Sequence, residues 1–403
     1  MKAASSLKRW FTDIDVLEPA GEGALRVFGL RHPSSGGLTY LTLDEALDTE
    51  AFQITEADGD GSVPTLQVTN ENDSMVFLMA GEELIGAKQN RVLNVSLMVE
   101  GNSAIPVPVS CVEAGRWIHK TAMFSSAKSS SHSKLRAKMA NSVENSYRRT
   151  GRPASNQEEV WDEVSSLLCC TKSDSPTEAL HQVDEDKERD LKAFAETIPP
   201  PSGCCGAAFA VAGKIVGVDV FDQPSTLAKL WPKLIRSYAV DALETSTPHT
   251  AVRRETVATW LRQAIDAKAE RYHSPGAGDD LRFKSDDRVG GSLLVDDQPV
   301  HTELFAKGGV NNSRFSSFFG SSSILKRALQ LFLFDSSSSS SIRRRTGVAE
   351  KDRQPRNRAP PRSSPAVRSC RHTCLWRRSF PEDEDEDEKE NTTHLTHPDP
   401  VAP

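Results

Sequence analysis

The 403-residue chain has few cysteines and few aromatic residues: it contains seven Cys, and Phe, Trp and Tyr together make up 6%. Four of the cysteines form two adjacent pairs, 169–170 and 204–205, which is a poor framework for the disulfides of a secreted domain. No apolar run approaches the roughly 18 residues of a membrane-spanning helix, and residues 1–11 lack the apolar core of a secretory signal. We therefore predict an intracellular, cytoplasmic protein without a membrane partner.

The familiar short motifs of nucleotide and metal sites are also missing. The sequence has no Walker A or Rossmann glycine pattern, no HExxH and no paired CxxC. We therefore predict no metal site, and the sequence leaves the cofactor unknown. A hard cation held by Glu82, Glu83 and Glu113 is the open alternative, because such ions prefer carboxylate oxygens.

The charge is divided unevenly along the chain, although the formal net charge is only −7. Residues 307–380 contain 16 basic and 3 acidic residues, whereas residues 381–403 contain 9 acidic residues and one Lys, which leaves a net −12 on residues 1–306. The last hundred residues also include six consecutive serines and many prolines, a composition that cannot bury enough apolar surface to fold alone. We predict a folded body at 1–306, as one domain or two packed lobes, and a disordered tail at 307–403.

This tail is the one place where the sequence suggests a nucleic-acid partner. Its basic part has clustered arginines that attract phosphate without sequence specificity, so nuclear localisation or RNA binding is an alternative there. The acidic run could fold back and mask it. Cys370, His372 and Cys374 lie close together but lack the second ligand pair of a zinc site.

The folded body changes its hydrophobic period along the chain. Strands are predicted at 25–31, 39–43, 52–56, 65–70, buried at 75–80, half-buried at 91–99, and at a sheet edge at 105–112, where Pro106 and Pro108 each lack a donor. A Ser-rich mobile loop at 125–133 and helices at 134–149, 157–168, 177–198, 225–243 and 253–272 follow, with a β-hairpin at 207–221 and an antiparallel meander at 281–305. Strands, then helices, then strands again predict an α+β fold.

The densest group of polar residues lies between 75 and 117. Glu82 and Glu83 follow a buried strand, where a rigid scaffold can hold carboxylates against a ligand. The next turn contains four consecutive polar residues, and a later strand end contributes the rest of the group. These residues are Lys88, Gln89, Asn90 and Arg91, then Ser110, Cys111, Glu113, Arg116 and Trp117.

These residues have both a chemical and a structural interpretation. In the chemical one, Lys88, Arg91 or Arg116 holds phosphate and Trp117 stacks on a ring, while Gln89, Asn90 and Ser110 contribute to the ligand site. The catalytic candidates are Glu113 or one of Glu82 and Glu83 as general base, and Cys111 as a nucleophile. In the structural one, the charges pair across a hairpin for about 0.2–1 kcal/mol each, and Cys111 is an inert buried thiol.

Several strings resemble one family. GEELIGAKQNR, VSCVEAGRW and YLTLDEAL, with the later AFAVAGKIVGVDVF, LWPKLIRSYAVDAL and HTELF in order, are similar to the domain associated with ADP-ribosylglycohydrolases and rhodanese-phosphatases, from about Leu30 to Phe305. The resemblance implies a role in processing ADP-ribose or related NAD-derived metabolites. We therefore expect a protein that binds a small anionic, nucleotide-like metabolite.

Whether such a protein is an enzyme is open from the sequence. One hypothesis is a hydrolase or transferase that processes the metabolite. The rival is a non-catalytic ligand sensor or protein-interaction module that uses the same pocket, and a third is a purely structural hairpin with any function in the tail. The oligomeric state does not follow from the sequence.

Overall fold

The computed structural model describes residues 7–307 except 9, 34–35, 58–63, 246–250 and 266–267. The predicted basic and acidic tail, with its Cys370 group, lies outside these residues. Its boundary and its disorder therefore stay predictions. Within the described part, no helix is long and apolar enough to cross a membrane.

The largest sheet has eight antiparallel strands. They are β1 (Asp15–Ala20), β2 (Leu25–Arg31), β12 (Gly206–Val211), β13 (Lys214–Phe221), β14 (Lys268–His273), β15 (Asp279–Lys284), β16 (Arg288–Val295) and β17 (Gln298–Ala306). Their order in the sheet is β1-β2-β12-β13-β17-β16-β15-β14, with the predicted hairpin and meander at its centre.

Two smaller sheets come from the first third of the chain. Their strands are β3 (Tyr40–Thr42), β4 (Phe52–Glu56), β5 (Thr65–Asn70), β6 (Met75–Leu78), β7 (Glu82–Gly86), β8 (Arg91–Leu93), β9 (Leu97–Val99), β10 (Ser103–Cys111) and β11 (Phe124–Ser130). One sheet has six strands in the order β11-β7-β8-β10-β5-β4, and the other has the order β3-β6-β9, in which β3 and β6 are parallel.

The helices lie mainly in the middle of the chain. They are α1 (Leu43–Leu47), α2 (Ser133–Thr150), α3 (Gln157–Thr171), α4 (His181–Asp186), α5 (Glu188–Thr197), α6 (Pro224–Leu243) and α7 (Arg254–Ile265). The α+β prediction is confirmed. The expected cap of α3 is present, since the Asn156 side chain accepts a hydrogen bond from the backbone N–H of Glu158.

Several boundaries predicted from the sequence were wrong. The Ser-rich segment 125–133 is largely strand β11, because its backbone pairs with β7. Residues 91–99 form two strands in different sheets and are all buried. Helix 177–198 is divided into α4 and α5, and the last predicted helix ends at Ile265, before β14.

The predicted edge strand also differs. Strand β10 lies inside the six-stranded sheet: residues 103–108 pair with β5, and residues 109–111 pair with β8. Each of these stretches has one strand neighbour in these registers, and Pro106 and Pro108 lie in the stretch that pairs with β5. Their missing donors therefore interrupt no ladder on a second side.

Helix α6 covers one face of the large sheet and joins it to β11. The rings of Phe209 and Tyr238 stack with centroids 3.7 Å apart, and Trp231 stacks beside them with its indole N–H donated to the carbonyl of Ile198. A second apolar cluster fills the space between the two smaller sheets and includes Ile54 and Leu97. The segments around residues 82–117 are therefore held between two cores.

Candidate functional site

The carboxylate of Glu113 is buried and fully engaged. Its Oε1 accepts hydrogen bonds from Arg116 Nε and Thr177 Oγ1, at 2.8 and 2.9 Å, and its Oε2 accepts from Arg116 Nη2 and the backbone N–H of Asn90, at 2.6 and 3.1 Å. Burial alone would raise the pKa of Glu113, but these donors outweigh it and lower the pKa. The geometry favours an anchor over a general base.

Arg116 holds the turn between β7 and β8. Its Nη1 donates to the carbonyls of Ala87 and Ile118, and its Nη2 donates to the carbonyl of Gly86. Ala87 has φ of 39°, a left-handed conformation that is unfavourable for a residue with a Cβ. The guanidinium thus stabilises a strained turn, and its donors are already used without a phosphate.

Gln89 and Asn90 complete this cluster from inside the turn. Gln89 Nε2 donates to the backbone carbonyl of Glu113, and Gln89 Oε1 accepts from Arg91 Nη1 at 3.0 Å. The side-chain oxygen of Asn90 accepts from Arg116 Nη2 and from the backbone N–H of Gly86. The structure therefore brings these two amides together with Glu113 and Arg116, as the sequence suggested, but they bond mainly to protein groups.

Arg91, Lys88 and Trp117 form a second group beside the first. The Arg91 guanidinium carbon lies 5.8 Å from the centroid of the Trp117 indole, and Lys88 Nζ lies 5.3 Å from it. Trp117 is 43% exposed, whereas Arg91 is fully buried. Burial lowers the pKa of Arg91, and its Nη2 lies 4.0 Å from Glu56 Oε2.

Cys111 lies directly opposite Arg91 in the sheet and is buried. Burial raises the pKa of its thiol, although the Arg91 charge acts against this rise. The backbone of Cys111 is bound on both sides by Gln157, whose amide accepts from Cys111 N at 2.8 Å and donates to Cys111 O at 2.7 Å. These features favour the inert thiol.

Ser110 donates to Asn94 Oδ1 and contacts the hydroxyl of Ser155.

The two adjacent carboxylates contact different partners, as alternation along a strand requires. Glu82 forms a buried ion pair with Lys233 of α6, whose ammonium also contacts Asp44 Oδ1 and Ser126 Oγ, each at 2.7 Å. Glu83 instead lies near His181 of α4, with Oε2 3.8 Å from Nδ1. Burial raises the pKa of Glu83 to about 7, which is the value expected of a group able to exchange protons at neutral pH.

The sequence interpretation missed the partners supplied by distant segments. The sequence predicts Lys233, His181 and Asp184 in helices and Ser126 in a loop, with no indication that they approach Glu82 or Glu83. The position of His181 depends on Ala179 and Leu180: Ala179 forms a bridge with Glu113, and the N–H of Leu180 donates to the carbonyl of Val112 at 2.9 Å. The only local signal was His181 and Asp184 three residues apart, a spacing that shares a helix face.

The structure is thus an α+β domain. Buried charged side chains surround the β7–β8 hairpin, residues 82–93, and the partly exposed Trp117 lies beside them. The family model for the ARG and Rhodanese-Phosphatase-superfamily-associated Protein domain matches residues 13–305, and the chain belongs to this family. No curated protein matches the chain, and no solved structure does. The resemblance seen in the sequence is therefore confirmed at the level of the family.

Proposed function

We propose that the protein binds a small anionic, nucleotide-like metabolite against Arg91 and Trp117, with ADP-ribose and NAD-derived compounds as the leading candidates. The observation that carries the proposal is Arg91. Among the described residues its Nε and Nη2 donate no hydrogen bond, although the side chain is fully buried, and Nη2 has only the long contact of 4.0 Å with Glu56 Oε2. Buried donors left unpaired cost about 1–3 kcal/mol each, and an anionic oxygen would satisfy them.

Trp117 and Lys88 add a stacking surface and a second positive charge beside Arg91. The indole offers an exposed flat surface on which a base can stack, worth about 1–3 kcal/mol. Lys88 adds a second cation on the same ring. Because residues 1–306 carry a net negative charge, attraction of an anion must come from local cations of this kind.

The family description supports the choice of ligand. It links these domains to ARG and rhodanese-phosphatase proteins, and the resemblance seen in the sequence associates them with ADP-ribosylglycohydrolases. A cytoplasmic location would suit such a metabolite and stays a prediction, as does a nuclear location through the tail.

If the protein is an enzyme, Glu83 is the better candidate for general base. It combines a raised pKa with an oxygen, Oε1, that has no partner in the described part of the chain, whereas Glu113 is saturated with donors. The second candidate function is a non-catalytic sensor, which is favoured by the engaged state of Glu113 and the raised pKa of the Cys111 thiol.

Thermal unfolding of the full chain with ADP-ribose, NAD, AMP and inorganic phosphate tests the proposal. A ligand that binds the folded state raises the melting temperature in proportion to the logarithm of its concentration. Trp117→Ala should weaken nucleotide binding about tenfold, because stacking is lost. Met123→Ala is the matched control, since Met123 is also exposed and apolar in the same segment.

Two outcomes would count against the proposed ligand site. Absence of any shift at millimolar concentrations of all four ligands would overturn the proposal, and equal binding by Trp117→Ala and wild type would remove the ring from the site. Where binding occurs, chromatography of the mixture after long incubation distinguishes an enzyme, which yields products, from a sensor, which returns the ligand intact.

A further inference from the structure

Glu83, His181 and Asp184 face one another at the junction of β7 and α4. One ligand atom from each residue lies within 4.8 Å of the other two. His181 and Asp184 are three residues apart on α4 and so share a face, and the bridge between Glu113 and Ala179 holds that segment beside the sheet.

The cluster contains buried polar atoms that lack partners. Within the residues that the structure describes, neither Glu83 Oε1 nor His181 Nδ1 has a hydrogen-bond partner, and each is shielded from solvent. The Glu83 side chain is only 2% exposed. The 3.8 Å contact between Glu83 and His181 is too long for a hydrogen bond. Two buried carboxylates of like charge require a compensating cation, which either a protonated His181 or a bound metal ion can supply.

A second layer of contacts orients the cluster. Ser129 Oγ donates to Asp184 Oδ1 at 2.7 Å, and Arg236 Nε donates to Ser129 Oγ at 3.2 Å. Arg236 is itself paired with Glu188, so its charge is shared with another acid. Such outer hydrogen bonds are typical around metal-binding side chains, where they fix the ligand geometry.

We propose that Glu83, His181 and Asp184 bind a divalent first-row transition ion of the Mn²⁺, Fe²⁺ or Zn²⁺ type. An imidazole with two carboxylates is a donor set that suits these ions. Three ligand atoms that lie about 2.2 Å from one ion and are evenly spread around it are about 3.8 Å apart or less. The three atoms here lie within 4.8 Å of one another, so each side chain has to move inward by at most about 0.6 Å to bind the ion. His181 is 24% exposed, which provides an entry path and room for water ligands.

The inference does not depend on nucleotide binding, because its test uses Mn²⁺ alone. The full chain is stripped with a chelator and titrated with Mn²⁺, following heat release and loss of the free-ion electron paramagnetic resonance signal. Manganese is chosen because thiolates bind it poorly, so Cys370 and Cys374 of the tail compete little. Carboxylates of the acidic run at 381–403 also bind Mn²⁺, but their contribution is the same in wild type and in the variants described next, and a chain ending at Lys307 removes it. We expect one saturable equivalent per chain and a higher melting temperature with Mn²⁺ present.

Variants locate the ion. Glu83→Gln, His181→Gln and Asp184→Asn should each raise the dissociation constant at least tenfold, because each removes a ligand. His273→Gln is the matched control: His273 is 98% exposed and its Nδ1 lies 3.2 Å from Asp279 Oδ1, so it represents an ordinary surface pair. Its affinity for Mn²⁺ should not change.

The outcomes that overturn the proposal are clear. They are the absence of saturable Mn²⁺ binding to the wild-type chain, or wild-type affinity in His181→Gln. His181→Gln changes a partly exposed side chain and is expected to fold, which keeps the test valid even if a variant of the buried Glu83 does not. Failure of Mn²⁺ binding with a preserved ADP-ribose shift would reject this site and leave the proposed function standing.

Discussion

The ammonium of Lys233 lies 2.6 Å from a carboxylate oxygen of Glu82 inside the protein, and this ion pair joins helix α6 to strand β7. The two side chains are 5% and 1% exposed. The other oxygen of Glu82 accepts from the backbone N–H of Met79 at 2.8 Å. Both charges have lost most of their water, so the Glu82 carboxylate depends on Lys233 for compensation, while the Lys233 ammonium also has Asp44 Oδ1 at 2.7 Å.

Removing one partner of this pair should be strongly destabilising. Lys233→Met leaves the buried Glu82 carboxylate without its cation, and we expect the free energy of unfolding to fall by about 3–5 kcal/mol. Urea unfolding followed by circular dichroism measures the change. Replacing both partners, with Glu82→Leu added, should recover most of the loss because no buried charge remains.

The same helix provides the control for this prediction. Lys229 pairs with Glu45 at 2.7 Å, but the two side chains are 43% and 37% exposed. Lys229→Met should therefore change the free energy of unfolding by less than about 1 kcal/mol. Equal losses for Lys229→Met and Lys233→Met would show that burial does not decide the strength of the pair.

Glu113→Gln distinguishes an anchor from a catalytic base. Both oxygens of the Glu113 carboxylate accept charge-assisted hydrogen bonds from Arg116, whereas an amide has one oxygen and no charge. The turn at Ala87 should therefore loosen, and the free energy of unfolding should fall by about 2–4 kcal/mol. Urea unfolding measures the loss, with the exposed Glu100→Gln as a control expected within about 0.5 kcal/mol. Wild-type stability in Glu113→Gln would contradict the structural role.

The pair of His132 and Glu163 should make stability depend on pH. Burial would raise the pKa of Glu163, but His132, 3.1 Å away, and Lys138 outweigh it and lower the pKa to about 2. Burial would lower the pKa of His132, but Glu163 and Asp241 raise it above 6.5. Glu163 therefore contributes to the free energy of unfolding above pH 4.5, and this contribution is lost as the pH falls toward 2. The contribution of His132 is present below pH 6.5 and is lost as the pH rises through its raised pKa.

The difference in melting temperature between wild type and Glu163→Gln should therefore be largest near pH 5–6. It should shrink as the pH falls toward 2 and as it rises above the pKa of His132. Melting curves from pH 2 to 8 measure it. Glu196→Gln, which breaks an exposed pair with Lys192, should show a small difference that does not vary in this way. A constant difference for Glu163→Gln would contradict the linkage.

Gly81 and Gly151 both have a positive φ, but only Gly81 has no room for a side chain. Its φ is 86°, and an added Cβ would lie 2.9 Å from Cδ of Arg136, which forms an ion pair with the buried Asp219. Gly81→Ala should cost about 2 kcal/mol or more, since it adds a clash to backbone strain. Gly151 has φ of 70° with open space around it, so Gly151→Ala should cost only about 1 kcal/mol in the same thermal-unfolding assay. Equal losses of stability in Gly81→Ala and Gly151→Ala would mean that the added methyl group does not disturb the ion pair of Arg136 and Asp219.

The low-complexity tail should be dispensable for folding. A chain ending at Lys307 keeps every strand and helix named above, so its melting temperature should match that of the full chain within about 2 °C. Differential scanning calorimetry of the two proteins makes the comparison. Insolubility of the shorter chain, or a much lower melting temperature, would show that the predicted boundary is misplaced.

The sequence predicted the elements whose patterns are local. The hairpin of β12 and β13, the meander of β15 to β17 and the cap at Asn156 follow from alternation, turn residues and hydrogen-bonding side chains close in the chain. Segment 125–133 was misjudged because serines favour loops locally, while pairing with β7 and contact with α6 decide its conformation.

For the candidate site, the sequence determined which residue types are present, and alternation along a strand predicted that Glu82 and Glu83 face opposite ways. Only the tertiary structure decided what they contact. It divides the predicted site into the Glu113–Arg116 cluster, the Arg91–Trp117 group and the separate neighbourhoods of Glu82 and Glu83. Lys233 and His181 come from positions 151 and 98 residues after their carboxylate partners, and no local pattern encodes such pairings. Burial then sets their strength, because water is excluded only when the distant segments have packed.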